Sequence, residues 1–102
     1  MNITVDKIPS LTTAKRYCSY NPKLLPDKKL MRLYAKLVAL TNAISQNKLP
    51  ASYYYRIADP NVTGIAPKDM WLQYNSQCAL NECREELERR GLMDKFTVFV
   101  LI

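Results

Sequence analysis

Residues 28–46 read KKLMRLYAKLVALTNAISQ, and this stretch carries the clearest secondary-structure signal in the chain. Its apolar residues recur every three or four positions, as Leu30, Leu33, Tyr34, Leu37, Val38, Leu40 and Ile44. That spacing places them on one face of an α-helix. Pro26 and Asp27 come directly before the stretch and are typical of a helix start. The pattern predicts a long amphipathic helix that supplies much of the core.

The opposite face of this predicted helix is basic. Lys28, Lys29, Arg32 and Lys36 fall together there, and Lys15, Arg16 and Lys23 precede them in the chain. Residues 1–56 hold ten Lys or Arg against two acids and residues 57–102 hold five against seven, so the halves contribute +8 and −2 to the net charge of +6. A surface polarised in this way attracts polyanions, nucleic acid first among them. The alternative is an ordinary solvated helix face, where lysine is readily accommodated.

Shorter patterns surround this helix. Residues 2–8 place Ile3 and Val5 two positions apart and predict a short strand, while residues 95–102, KFTVFVLI, predict a buried closing strand. A short helix is predicted between Ser10 and Tyr20. We therefore expect one α+β domain over residues 1–102, in which two long helices pack on a small sheet of the N- and C-terminal strands.

The second long helical pattern starts at Pro67 and ends at Arg90, where Gly91 and Leu92 are typical of a glycine C-cap. Met70, Trp71, Tyr74 and Cys78 share one face of it, and Leu72, Ser76, Leu80, Cys83 and Leu87 share another face about 150° away. Either one helix contacts two neighbours in succession, or two helices meet at a tight turn at residues 75 and 76. The sequence leaves both arrangements open.

The composition argues against an enzyme. The chain has no histidine, which removes the commonest general base and the commonest metal ligand. With only two glycines it has no glycine-rich loop for phosphate binding. On an ideal helix, Cys78 and Cys83 lie about 140° apart, too far around the axis to share a metal easily. We expect no catalytic site, no metal and no cofactor.

The cysteine count and the hydropathy indicate the compartment. Cys18, Cys78 and Cys83 are an odd number of cysteines in a chain that shows no signal peptide, so we expect free thiols in a reducing cytoplasm. No apolar run approaches the roughly 20 residues that would span a bilayer. We expect a soluble cytoplasmic protein without a membrane partner.

Residues 69–93 and the strand after them resemble the end of a winged helix-turn-helix domain. Such domains often close their recognition helix with Leu-Glu, two polar residues, glycine and an apolar residue, as residues 87–92 do here. The resemblance covers residues 27–102 and implies DNA binding, with Gln73, Asn75, Ser76, Gln77 and Asn81 facing the groove to read base edges. The alternative for the end of this helix is a solvated face on which Glu85 pairs with Arg89 and Glu86 with Arg90.

Tyrosines form a second set of candidate contact residues. Tyr53, Tyr54 and Tyr55 are consecutive and are followed by Arg56. Tyrosine and arginine are enriched at protein interfaces, so this run suits a protein partner. Tyr17 and Tyr20 precede the basic helix, and single-strand binders interleave such rings with cations.

These features predict a small regulatory protein that binds DNA or RNA and resembles winged-helix domains. The alternative is a small interaction protein, of the kind that viruses and mobile elements encode, which binds and blocks a larger, acidic protein partner. The two differ in salt dependence, because phosphate contacts weaken steeply with salt and a tyrosine interface does not. The exposed edge of the terminal strand could also pair with a second copy, which predicts a homodimer.

Overall fold

Three helices and four short strands make up the described part of the chain in a computed structural model that covers residues 1–59, 61 and 64–101. The elements are β1 (Asn2–Val5), α1 (Leu11–Tyr17), α2 (Asp27–Ser45), β2 (Tyr54–Arg56), β3 (Ile65–Pro67), α3 (Leu72–Arg89) and β4 (Thr97–Val100). Single 3-10 turns cover Pro22–Leu24, Ala51–Tyr53 and Met93–Lys95. The predicted α+β class is confirmed, with the terminal strands paired and the long helices packed together.

Helix α2 is the centre of the core, since it contacts α1, α3, β1 and β4. Its leucines are buried, as their spacing predicts. Ala35, Ala39 and Ala43 are buried as well, although the sequence analysis did not include them in the apolar face. The helix ends where Asn47 adopts a left-handed conformation with φ 55°. The Lys48 N–H then donates to the Ala43 carbonyl at 2.8 Å, which closes the last turn.

Helix α3 is one continuous helix, and it begins later than predicted. Pro67 ends β3, and the helix starts only at Leu72. One face of the helix is buried, and it consists of Leu72, Ser76, Ala79, Cys83, Glu86 and Leu87. The second apolar face was expected to contact a neighbour, but Met70, Trp71 and Tyr74 are exposed. At the C-terminus Gly91 has φ 69° and the Leu92 N–H donates to the Leu87 carbonyl at 2.9 Å, so the predicted glycine cap is present.

The terminal strands β1 and β4 pair in parallel, with Asn2 opposite Thr97 and Val5 opposite Val100. The Met1 ammonium donates to the Lys95 carbonyl at 2.7 Å and extends this pairing by one residue. We predicted a buried closing strand, but β4 alternates between exposed and half-buried residues. Helix α2 packs against this sheet, and Phe99 remains exposed on the sheet's other face. Ile102, at the end of the predicted strand, lies outside the described residues.

A side-chain network joins the C-terminus of α3 to the start of α2. The Arg90 guanidinium donates to Glu86 at 2.9 Å, to the Leu25 carbonyl at 2.7 Å and to the Asp27 carboxylate at 3.0 Å. It also donates to the carbonyls of Pro22 and Lys23. The predicted Glu86–Arg90 pair is therefore present, but it is buried rather than solvated. Arg89 pairs with Glu86 instead of the predicted Glu85.

This network predicts a specific acid sensitivity. The hydrogen bond from Arg89, helped by Arg90 and opposed by burial, lowers the pKa of Glu86 from 4.5 to about 2. The Glu86 carboxylate therefore stabilises the fold fully above pH 4.5, and that contribution is lost as the pH falls toward 2. We expect Glu86→Gln to be less stable than wild type in urea at pH 7, with the difference shrinking as the pH approaches 2. Glu85→Gln, at an exposed position, is the control; an equal loss in that variant would contradict the assignment.

Candidate nucleic-acid interface

The predicted basic stripe of α2 is exposed along its length. Lys28, Lys29, Arg32 and Lys36 all reach solvent, while the leucines between them are buried. In the described part of the chain the ion pairs join Arg89 and Arg90 to Glu86 and Asp27, and none uses a cation of the stripe. These positive charges are therefore available to an external anion.

Three cations of the stripe lie in one groove, which we call the basic groove. It consists of two adjoining depressions that share Tyr17, Arg32 and Lys36. One depression continues over β1 to Asp6 and Lys7, and the other continues to Tyr20, Leu25, Lys29 and Leu33. The lining holds the cations Lys7, Lys29, Arg32 and Lys36 against a single acid, Asp6. Lys7 was not among the predicted site residues, because only the fold of β1 onto α2 brings it there.

Two tyrosine rings lie among these cations. The Lys36 ammonium lies 5.2 Å from the centroid of the Tyr17 ring, within cation–π range. Tyr20 is 43% exposed at the other end of the groove. The groove thus combines charges that attract phosphate with aromatic surface on which a base or another flat group can stack.

The other four predicted cations lie outside this groove. Lys28 is exposed on α2, and Lys23 lines a separate depression with Glu82, Glu85 and Glu86. Arg16 is exposed on α1. Lys15 lines a different groove, together with Asp69, Asn75 and Glu82. The acids there partly neutralise its charge, so the structure does not join Lys15 to the α2 stripe.

The predicted base-reading residues do not form one surface. Gln73 and Gln77 lie on one side of α3, and Asn75 lies on the other side, because residues two apart are about 200° apart on a helix. Gln77 donates to Asn81 at 3.1 Å, and Ser76 is fully buried. None of these residues lines the basic groove. Gln73, Asn75 and Gln77 therefore do not share one side of α3, and their role in reading bases stays a prediction.

The residues of the tyrosine run, Tyr53 to Arg56, differ in their exposure to solvent. Tyr53 is 2% exposed, and its hydroxyl donates to the Pro9 carbonyl. Burial, followed by the effect of neighbouring Tyr17, raises the pKa of Tyr53 to about 12. Tyr54 is half-buried, whereas Tyr55 and Arg56 are exposed on β2. Tyr53 is therefore a core residue and was wrongly expected at an interface, while Tyr55 and Arg56 remain free for contact.

An aromatic surface that the sequence analysis assigned to the interior lies at the start of α3. Met70 is 78% exposed, and Trp71 and Tyr74 are each 65% exposed. The two rings meet edge to face with centroids 6.4 Å apart. We call these three residues the Trp71 surface. Their helical spacing was visible in the sequence, but the late start of α3 leaves them without a neighbouring element.

Among the described residues no group of three or more Asp, Glu, Cys or His residues is placed to hold a metal ion. None of the described helices combines the length and the apolar character needed to cross a membrane. Comparison of the chain with protein families, curated proteins and solved structures gave no match.

The buried Tyr53 hydroxyl predicts a difference between neighbouring tyrosines. Tyr53→Phe leaves the Pro9 carbonyl without its partner and should lower the free energy of unfolding by about 1 kcal/mol. Tyr55→Phe, at an exposed position, should change it by less than about 0.5 kcal/mol. Urea titrations followed by circular dichroism measure both, and equal effects would show that the Tyr53–Pro9 bond contributes nothing.

Proposed function

We propose that this protein is a small regulatory protein that binds nucleic acid in the basic groove. The observation that carries the proposal is the convergence of Lys7, Lys29, Arg32 and Lys36 on two tyrosines, with one acid in the lining. Phosphate contacts from lysine and arginine supply most of the affinity of sequence-independent binding. The resemblance of residues 87–92 to winged-helix domains stays part of the proposal, but β4 pairs with β1 in parallel, so these two strands do not form the antiparallel hairpin of a wing.

The spacing of the groove cations suits a phosphate backbone. Lys29, Arg32 and Lys36 follow one side of α2 and span about 10 Å along its axis at 1.5 Å per residue. One strand of duplex DNA carries a phosphate about every 3.4 Å, so this distance corresponds to about three phosphates. The three cations of α2 can therefore contact a short stretch of the phosphate backbone without a change in the shape of the helix.

The lining of the groove favours a single strand over a duplex. Tyr17 and Tyr20 offer ring surfaces, and only unpaired bases can stack on them. No asparagine or glutamine lines the groove, so the side-chain amides that commonly read adenine are missing from it. We infer that binding tolerates many sequences and that specificity, if the regulator has any, comes from a surface outside the groove.

A cytoplasmic location belongs to the same proposal. Cys18, Cys78 and Cys83 are free thiols. Burial raises the pKa of Cys83 to about 12 and also raises that of Cys18, so both stay in the unreactive protonated form. Free cysteines are typical of proteins in reducing compartments, and this supports the cytoplasmic part of the proposal.

Charge reversal in the groove tests the proposal. We expect the wild type to bind a labelled single strand with a log–log salt slope between about −2 and −3, from three or four phosphate contacts. The triple variant Lys29→Glu, Arg32→Glu, Lys36→Glu should lose about tenfold or more in affinity at roughly 50 mM salt. Fluorescence anisotropy at roughly 50 and 200 mM salt measures both effects.

A matched control separates the groove from the net charge. Lys48→Glu, Lys68→Glu, Lys95→Glu makes the same charge change at exposed positions outside the groove. This control should retain the slope and most of the affinity. If both triple variants lose binding equally, or if wild type does not bind at low salt, the basic groove is not a nucleic-acid site.

The Trp71 surface favours a second candidate function, that of a small protein that binds a larger protein. Tryptophan and tyrosine dominate the energy of protein interfaces, and here both are exposed beside Met70. Tyr55 and Arg56 of the original tyrosine run are a further exposed pair on β2. Such an interface would be largely insensitive to salt, unlike the groove.

The only tryptophan of the chain reports directly on this second candidate. A protein partner that covers Trp71 should shift its fluorescence emission to shorter wavelength, and Trp71→Ala with Tyr74→Ala should abolish capture of that partner at high salt. Tyr55→Ala is the control on the other exposed surface. Oligonucleotide binding in the basic groove should leave the Trp71 emission unchanged.

A further inference from the structure

The outer edge of β4 offers backbone hydrogen-bonding groups that the fold does not use. The Thr97 N–H donates to the Met1 carbonyl at 2.9 Å, and the Leu101 N–H donates to the Val5 carbonyl at 2.8 Å. Because backbone groups of successive strand residues point to opposite sides, those of Val98 and Val100 point away from β1. Among the described residues no strand pairs with that side, since the sheet consists of β1 and β4 alone.

This edge carries none of the features that usually protect an edge strand. Residues 96–101 read FTVFVL, without a charge, a proline or a glycine. On the outer face of the sheet Phe99 is 47% exposed and Leu101 is 61% exposed. The free edge of β1 differs from that of β4. Its side chains Asn2 and Thr4 are polar, and it lies beside the basic groove. An apolar, unguarded edge is a template for pairing with another strand.

The molecule is elongated, with extents of 54 × 24 × 17 Å, and exposes a large area for its mass. The chain exposes 6908 Å². A typical monomer of 11.8 kDa exposes about 5,900 Å². The chain thus has about 1,000 Å² of surface above that average over the whole molecule, and a stable interface buries roughly 800 Å² on each partner.

We propose that two copies of this chain form a homodimer by antiparallel pairing of β4 with β4, which makes one four-stranded sheet in the order β1-β4-β4-β1. A second copy is the occupant that these features fit, because a two-fold axis makes one edge complementary to itself. An axis at Phe99 places Val98 of each copy opposite Val100 of the other. The four outward N–H and C=O groups of each β4 are then all paired, and the two Phe99 rings meet across the axis as an aromatic cross-strand pair.

Charge placed at the axis tests the pairing. Sedimentation velocity at tens of micromolar should give the wild type twice the mass of one chain. Phe99→Glu sets like charges opposite each other and should give a monomer with an unchanged circular dichroism spectrum, since Phe99 is exposed. Phe99→Lys alone should also be monomeric, and a mixture of the Glu and Lys variants should restore the dimer.

A neighbouring position is the matched control. Thr4 is the register partner of Phe99 and is exposed on the same face of the sheet, but it belongs to β1. Thr4→Glu introduces the same charge and should remain dimeric. A monomeric wild type at these concentrations, loss of the dimer in Thr4→Glu as well, or failure of the mixed variants to associate would overturn the proposal. None of these outcomes depends on nucleic-acid binding.

Discussion

The buried contact of Arg90 with Glu86 fixes the arrangement of the two long helices. The guanidinium of Arg90 leaves the last turn of α3 and donates to carbonyls of the segment that leads into α2, as well as to Asp27 in its first turn. Arginine can do this because its donors are held in a rigid, planar fork. Glu86, itself bonded to Arg89 and Arg90, compensates the buried charge. This network holds the ends of α2 and α3 together, while the buried leucines of α2 pack in one core with Leu72, Ala79, Cys83 and Leu87 of α3.

The packing of the helices also separates the paired charges of α3 from the unpaired positive charges of α2. Glu86 and Asp27 form ion pairs with Arg89 and Arg90, so these two arginines at the C-terminal end of α3 are compensated within the fold. The cations of α2 have no ion-pair partner among the described residues, and Lys29, Arg32 and Lys36 lie with Lys7 in the basic groove. Attraction for anions is thus concentrated on the side of α2 that faces α1 and β1. The exposed acids Glu82, Glu85 and Glu88 lie on α3.

The terminal sheet connects the two proposals. β1 borders the basic groove on one side and pairs with β4 on the other. In the proposed dimer the two β1 strands become the outer strands, three strand spacings or about 14 Å apart. Each β1 borders a basic groove, so the proposed dimer would carry two copies of the groove related by the two-fold axis. Two linked sites bind a long strand more tightly than either site alone.

The sequence by itself determined the local structure and the sign of the charge on the exposed side of α2. The apolar spacing predicted the extent of α2, Gly91 predicted the end of α3, and the positions of the lysines predicted which side of α2 faces solvent. Each of these features depends only on residues that are close together in the chain. Only the tertiary structure decided which apolar residues are covered. Tyr53 is buried and Trp71 exposed although both lie in aromatic segments, since burial depends on which elements pack there. The position of Lys7, the division of Gln73 from Asn75 and the burial of Glu86 likewise depend on contacts between segments distant in the chain, which periodicity does not encode.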